Sequence, residues 1–397
     1  MNKQKYVYLD HAATTPPAPQ VVEEMNKYLF ENYANANSLH SRGQAAKDVV
    51  EKARTTIADL LNSKAKELFF TSGATESNNW VLKGLFEQLK KSKEKLHFVI
   101  STFEHPAVKE VAHKFLVEQD NVEITYVDPD ENGIVSAEKI KAAVNENTVL
   151  VSLMYANNEI GTIQPIAEVG EILKNLNENR QNKILFHTDA TQAAVYLDLD
   201  VNKLGVDFLT LSAHKIYGPK GVGLLYFREG VKIKPLLLGG HQEDGKRAGT
   251  YNVPAIAGFA KAVEIILEQQ DQDIEHALLI KNLLLKELKA KLKDFVINGD
   301  LEKRLMNNLN ISINKVEGES VLFHLDDYGI AISTGSACAS GDLGPSPVLA
   351  AIGVKAEDSH GSIRITWGRD TNKEDIIFFV DKLVDIVEKL RKMSPLK

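Results

Sequence analysis

Lys215 closes the tetrapeptide Ser212-Ala213-His214-Lys215, after the apolar run Val206 to Leu211 and before the Gly218-Pro219 turn. An amine at a strand end among small turn residues can reach into a cleft and form a Schiff base with an aldehyde. Alone, such a lysine reads as a surface residue in a loop; Asp189 upstream changes that reading. It follows the run Ile184 to Thr188, with Gln192 three residues later, so both reach the same carboxyl edge of a sheet as Lys215. A carboxylate that keeps a pyridine nitrogen protonated turns the ring into an electron sink, and a glutamine nearby can hydrogen-bond a ring hydroxyl. Ser72-Gly73-Ala74-Thr75-Glu76 adds a third feature, where the strand Phe69-Phe70-Thr71 turns into a helix near Glu76. Small residues there let backbone N–H groups and hydroxyls face an anion at a helix amino end, although on its own the stretch describes an ordinary turn with Thr75 as N-cap. Lysine, acid and anion cradle together describe a site for pyridoxal phosphate (PLP). His105 follows the run Phe98 to Ser101 and can cover the ring face or move protons; as His105-Pro106 it also suits a helix start.

Cys338 is the only cysteine of the chain, which excludes an internal disulfide and a cysteine-based zinc cluster. A lone cysteine is commonly a buried, inert small residue. Here Gly335 and Ser336 on one side and Ser340 and Gly341 on the other suit an exposed loop, where a thiolate can act as a nucleophile. The eleven histidines include no His-x-x-x-His pair, so no metal site is expected.

Short β-rich runs must position these groups: Leu68 to Thr71, Phe98 to Ser101, Ile124 to Val127, Val149 to Leu153, Ile184 to Thr188, Phe208 to Leu211 and Gly223 to Phe227. They alternate with amphipathic stretches such as Gln44 to Leu61, Glu76 to Lys90 and Ile166 to Asn177. This rhythm predicts an α/β fold with a mostly parallel sheet between helices. From Ala255 the pattern changes to two long charged helices (Ile256 to Gln269 and Ile274 to Leu292), strands near Asn308 to Asn314 and Ser362 to Thr366, and a last helix from Asp375 to Arg391. The expected division is a large domain over 16–255 and a smaller α/β domain made of 1–15 and 256–397. The 397 residues, 25% of them charged, suffice for two cores, and a net charge of −7 gives no reason to expect nucleic acid or an anionic membrane as partner. Without a membrane-length apolar run, a cytoplasmic enzyme is expected.

Eight motifs, in order, resemble the cysteine desulfurases, a family of fold-type I PLP-dependent transferases, over almost the whole chain. They are Tyr8-Leu9-Asp10-His11-Ala12-Ala13-Thr14-Thr15, Thr71-Ser72-Gly73-Ala74-Thr75-Glu76-Ser77-Asn78-Asn79, Glu104-His105, Asn157-Asn158-Glu159-Ile160-Gly161, Asp189-Ala190-Thr191-Gln192, Ser212-Ala213-His214-Lys215, Arg247-Ala248-Gly249-Thr250 and Gly335-Ser336-Ala337-Cys338. The resemblance implies that Lys215 carries the cofactor, Asp189 pairs with its ring nitrogen, Gln192 contacts the ring oxygen and His105 stacks on the ring. It implies that Ala74, Thr75, Ser212 and His214 bind the phosphate and that Asn157 lies beside cofactor and substrate. Thr250 then reaches the phosphate of the other subunit's site, which implies a homodimer. Arg364 matches the clamp for the substrate carboxylate, and Cys338 the nucleophile that takes sulfur from L-cysteine as a persulfide and leaves L-alanine. The long stretch after Cys338 resembles the branch that passes sulfur to iron–sulfur cluster scaffolds and to tRNA-thiolation enzymes. Pro347 stands where His or Tyr is common in that branch, which bears on the acceptor and not on the chemistry. A selenocysteine lyase or a related PLP aminotransferase is the alternative, since both share Lys215 and Asp189.

Overall fold

The seven apolar runs form one sheet in the computed structural model, which describes residues 6–91, 95–334 and 346–393. After a short N-terminal strand β1 (Val7–Tyr8) come β2 (Leu68–Thr71), β3 (Leu96–Ser101), β4 (Val122–Val127), β5 (Thr148–Ser152), β6 (Leu185–Asp189), β7 (Phe208–Ser212) and β8 (Gly223–Phe227). Their order is β2-β8-β7-β6-β5-β3-β4, and only β8 runs antiparallel to its neighbours. Alternate residues serve opposite faces, as a strand dictates. Phe70 and Leu209 join a core shared with the helix Ser41–Leu61, whereas Phe69 and Phe208 join one under the helices Ala74–Leu89 and Pro106–Val111. Helices on both faces explain why β2, β3, β5, β7 and β8 are buried throughout.

The register brings the chemistry to one edge. Thr71 and Ser212, the last residues of β2 and β7, both pair with Gly223, the first of β8, and Asp189 ends β6 beside Thr210. A Cβ on Gly223 would lie 2.6 Å from the Cα of Gly73, so only glycine lets β8 back the turn that opens the helix Ala74–Leu89.

A second sheet, ordered β12-β13-β10-β9, is built from β9 (Phe295–Ile297), β10 (Asn308–Ile313), β12 (Ser333–Thr334) and β13 (Ser362–Thr366), and β11 (Ile330–Ala331) pairs in parallel with β1. The N-terminal strand therefore lies with the C-terminal elements, and Leu9 shares a core with Leu309, Ile365 and Phe379. The two charged helices expected between Ile256 and Leu292 are instead one helix, Val253–Lys291, of 39 residues and thus about 58 Å. The stretch Gln269 to Gln272 between them is polar but holds no glycine or proline, so nothing local stops the helix. The next residue, Asp273, is buried and takes a two-point hydrogen bond from Arg369 (Nε to Oδ1 2.8 Å, Nη2 to Oδ2 2.6 Å). The guanidinium of Arg369 stands 4.4 Å from the centre of the Tyr217 ring, two residues beyond Lys215. The helix packs in the large core as far as Ala277 and in the second core from Ile280, so the chain passes from one to the other within unbroken helix. The expected division at 255/256 falls at its start. No helix among the described residues is long and apolar enough to cross a membrane.

Candidate active site

A cleft of ≈ 560 Å³ opens at this strand edge. Nine of the expected residues line it: Ala74, Thr75, His105, Asp189, Gln192, Ser212, His214, Lys215 and Arg364. Asn157 does not, because its side chain is spent inside the wall. Its Nδ2 donates to the Phe103 carbonyl (3.1 Å) and its Oδ1 accepts from Glu159 N and Ile160 N, while its neighbour Asn158 faces the cleft. Thr250 is exposed and lies outside this chain's cleft. Cys338, with its motif Gly335 to Cys338, lies outside the described residues.

Lys215 sits in a 3₁₀ turn, Ala213–Lys215, directly after β7. Its Nζ donates to the carbonyls of Ala12 (2.5 Å) and Ala13 (2.7 Å), on a strap of chain, residues 10–15, that crosses the cleft. The same strap receives Gln192 Nε2 at the Ala12 carbonyl (3.0 Å) and places Thr14 Oγ1 3.1 Å from His214 Nδ1. Burial, with Lys215 and Lys220 close by, pushes His214 down to about 4, so its imidazole is neutral at neutral pH.

Asp189 is fixed from two sides. Asn78 Nδ2 donates to its Oδ2 (2.7 Å) and the backbone N–H of Thr191 to its Oδ1 (3.0 Å). No role was read for Asn78 in the sequence, though a signal was present. It is fully buried on the helix Ala74–Leu89, on the same stripe as Val81, Leu82 and Leu85, where a polar residue calls for a partner. That helix begins at Ala74, two residues earlier than expected, and no side chain caps it; Thr75 is inside the helix and not its N-cap. Sixteen aligned peptides thus end at the cleft with their N–H groups unserved by a side chain, a fitting seat for a phosphate. Glu76, in the first turn, would oppose an anion there, but Arg247 holds it in a two-point ion pair (2.8 and 3.0 Å) that keeps its carboxyl below the usual range against the pull of burial.

Both readings of His105 apply. It caps the helix Pro106–Val111 by accepting from Ala107 N at Nδ1 (3.1 Å), and it lines the cleft, its pKa lowered by burial. Glu104, before it, belongs to the Glu104-His105 motif. It is fully enclosed, accepts from Ser101 Oγ (2.7 Å) and Met154 N (2.6 Å), and burial pushes it up to about 8. At neutral pH the folded protein thus keeps a proton on Glu104 that the unfolded chain gives up near its ordinary value of 4.5. Its contribution is present below that value and is lost as pH rises to about 8, where the folded carboxyl ionises too. Glu104→Gln is expected to remove this slope and to gain on wild type by a few kcal/mol between pH 5 and 8, as read by denaturant unfolding across that range. Parallel pH curves for the two proteins would exclude a proton on Glu104.

Arg364, in the middle of β13, is 1% exposed. Nη1 donates to the Asn158 carbonyl (3.1 Å) and Nη2 to Asp10 Oδ1 (2.7 Å), whereas Nε–H meets no acceptor among the described residues. A guanidinium in the wall of a cleft suits a carboxylate ligand.

A fold with both faces of a mostly parallel sheet covered and a lysine, a braced aspartate and a bare helix amino end at one strand edge defines the fold-type I PLP-dependent class. Residues 7–379 match the family described as aminotransferase class-V, and the chain belongs to that family. It is 46% identical over 394 residues to the cysteine desulfurase IscS of Dictyoglomus turgidum, covering 99% of this chain and 98% of the relative. It is 44% identical to the cysteine desulfurase IscS of Methanosarcina thermophila, covering 99% and 95%. A solved NifS-like protein superposes with a TM-score of 0.89 at 38% identity, covering 97% of this chain and all of that one. SspA, solved in complex with cysteine, gives 0.80 at 34% identity over 91% of this chain and 99% of its own. The family's cofactor is PLP, and the residues present fit it. Lys215 would hold its aldehyde carbon, Asp189 its ring nitrogen, and the amino end of Ala74–Leu89 with Thr75 and His214 its phosphate.

Proposed function

We propose that this protein is a cysteine desulfurase that converts L-cysteine to L-alanine and hands on the sulfur. One observation carries the reading: a lysine, a braced aspartate and an arginine share one cleft in a chain whose full-length relatives are cysteine desulfurases. PLP, when bound, supplies an electron sink for the bond to the α proton of an amino acid. Arg364 receives the substrate carboxylate, Lys215 removes and returns the α proton, and neutral His105 covers the ring. Cys338 attacks the substrate sulfur as thiolate; the new sulfur–sulfur bond forms as the carbon–sulfur bond breaks, and the carbon part leaves as alanine. The chain has no second cysteine, so the sulfur passes to a thiol of another protein or of a small molecule. Iron–sulfur cluster assembly and tRNA thiolation are the acceptor pathways this reading favours, in the cytoplasm. The exposure of Thr250 away from its own cleft supports a homodimer in which it completes the partner's phosphate site.

The protein loaded with PLP and given L-cysteine and a reducing thiol is expected to release alanine and sulfide in equal amounts, read by amino-acid analysis and sulfide assay. Pyruvate, or a new amino acid from an added keto acid, in place of alanine would move the protein to the lyases or transaminases of its family. A strong preference for selenocysteine would move it to the selenocysteine lyases.

A further inference from the structure

The pairing of Arg364 with Asp10 is built in at both ends. Thr366 N donates to the Leu9 carbonyl (2.9 Å) and His11 N to the Thr366 carbonyl (3.3 Å), which joins Asp10 and Thr366 in a parallel bridge two residues from Arg364. Ala12 N donates to Thr366 Oγ1 (2.9 Å), and the Tyr8 hydroxyl closes the turn on the Thr14 carbonyl (2.9 Å). The Asp10 carboxylate is thus carried on a backbone fixed to the strand that bears the arginine. Its side chain is 19% exposed, so it meets both the guanidinium and solvent. The other carboxyl near Arg364, Glu159, is pushed up to about 7 by burial and accepts from Ser346 Oγ. Asp10 is the carboxylate hydrogen-bonded to the guanidinium.

We propose that Asp10 is a positioning residue that sets how tightly the cleft holds an α-carboxylate. The proposal rests on the reading above only in taking Arg364 as the carboxylate clamp. By holding Nη2, Asp10 fixes the plane of the guanidinium that lines the cleft. It also places a negative charge on the same guanidinium, so a second carboxylate binds against repulsion from the first. Substrate and product carry the same α-carboxylate and α-amine. Such a counter-charge weakens the hold on both and speeds the release of L-alanine, whereas the reacting sulfur is unaffected.

The test is equilibrium binding of L-alanine and of its neutral analogue L-alaninamide to the PLP-loaded protein, followed by the cofactor absorbance and by calorimetry. Asp10→Asn keeps the shape and one acceptor oxygen but removes the charge. L-alanine is expected to bind about tenfold more tightly to the variant and L-alaninamide to change by less than about twofold. Unchanged or weaker alanine binding would overturn the proposal. So would an equal loss for both ligands, the mark of a residue that only holds the turn together. Asp10→Ser, read in the same way, decides the matter if the asparagine variant is insoluble. Cysteine turnover by the wild type is measured in the same preparation. Its absence sinks the desulfurase reading alone, because the difference between alanine and alaninamide judges Asp10 whatever the later chemistry.

Discussion

Lys215→Ala, purified and reloaded with PLP, is expected to lose L-cysteine turnover by about 10⁴-fold or more with its fold intact. The residue is asked to do two jobs, holding the cofactor and carrying the α proton, and no neighbour in the cleft can take over both. His105 has its Nδ1 committed to Ala107 N, and His214 is engaged with Thr14. The fold survives because the side chain is not a core residue. It lies half-buried in a 3₁₀ turn, and its Nζ donates to strap carbonyls, which water can serve in its absence. A far-UV spectrum and melting point near those of wild type should accompany the loss, and a small exogenous amine should restore part of the proton transfer. Alanine release above a tenth of the wild-type rate would remove Lys215 from the mechanism.

Period and burial decided what could be read in advance. The sheet was legible because each of its strands is an apolar run bounded by turn residues, so Leu68–Thr71 and Gly223–Phe227 came out to the residue. Strands β1, β9, β11 and β12 were not, since two or three residues carry no period and only a partner across the sheet makes them strands. The long helix Val253–Lys291 carries a polar stretch, Gln269 to Gln272, that shows no apolar period of its own. A buried ion pair between Asp273 and Arg369, 96 positions apart, is invisible to any local window. The site shows the same contrast. Lys215, Asp189, Ser212 and Thr75 declared themselves by standing at strand ends or helix starts, and all four line the cleft. Asn78, Glu104 and Asp10 act on other residues, Asn78 on Asp189 and Asp10 on Arg364, through contacts that join distant parts of the chain. Of two adjacent asparagines, the turn hydrogen bonds decide which faces the cleft, and they take Asn157.

The specific claim of desulfurase chemistry stands on Cys338, because a lysine and an aspartate of this kind serve many PLP enzymes and only a desulfurase needs a thiolate. Cys338→Ser is expected to bind PLP and L-cysteine as wild type does. Arg364, Asp189 and the amino end of Ala74–Leu89 would make those contacts without the thiol. Release of sulfide and alanine should fall by at least about 10³-fold, since a serine hydroxyl ionises far above neutral pH and supplies almost no anion to attack sulfur, whereas a thiol near its ordinary value of about 8.5 does. The block therefore comes after binding, and L-cysteine should still change the cofactor spectrum of the variant. In wild type given L-cysteine without an acceptor, mass spectrometry should find one added sulfur atom on the peptide that contains Cys338, and a reducing thiol should remove it. Retained turnover in Cys338→Ser, or an added sulfur found on any other peptide, would falsify the persulfide route. Either outcome would leave Lys215 and Asp189 in place and return the chain to the lyases and transaminases that share them.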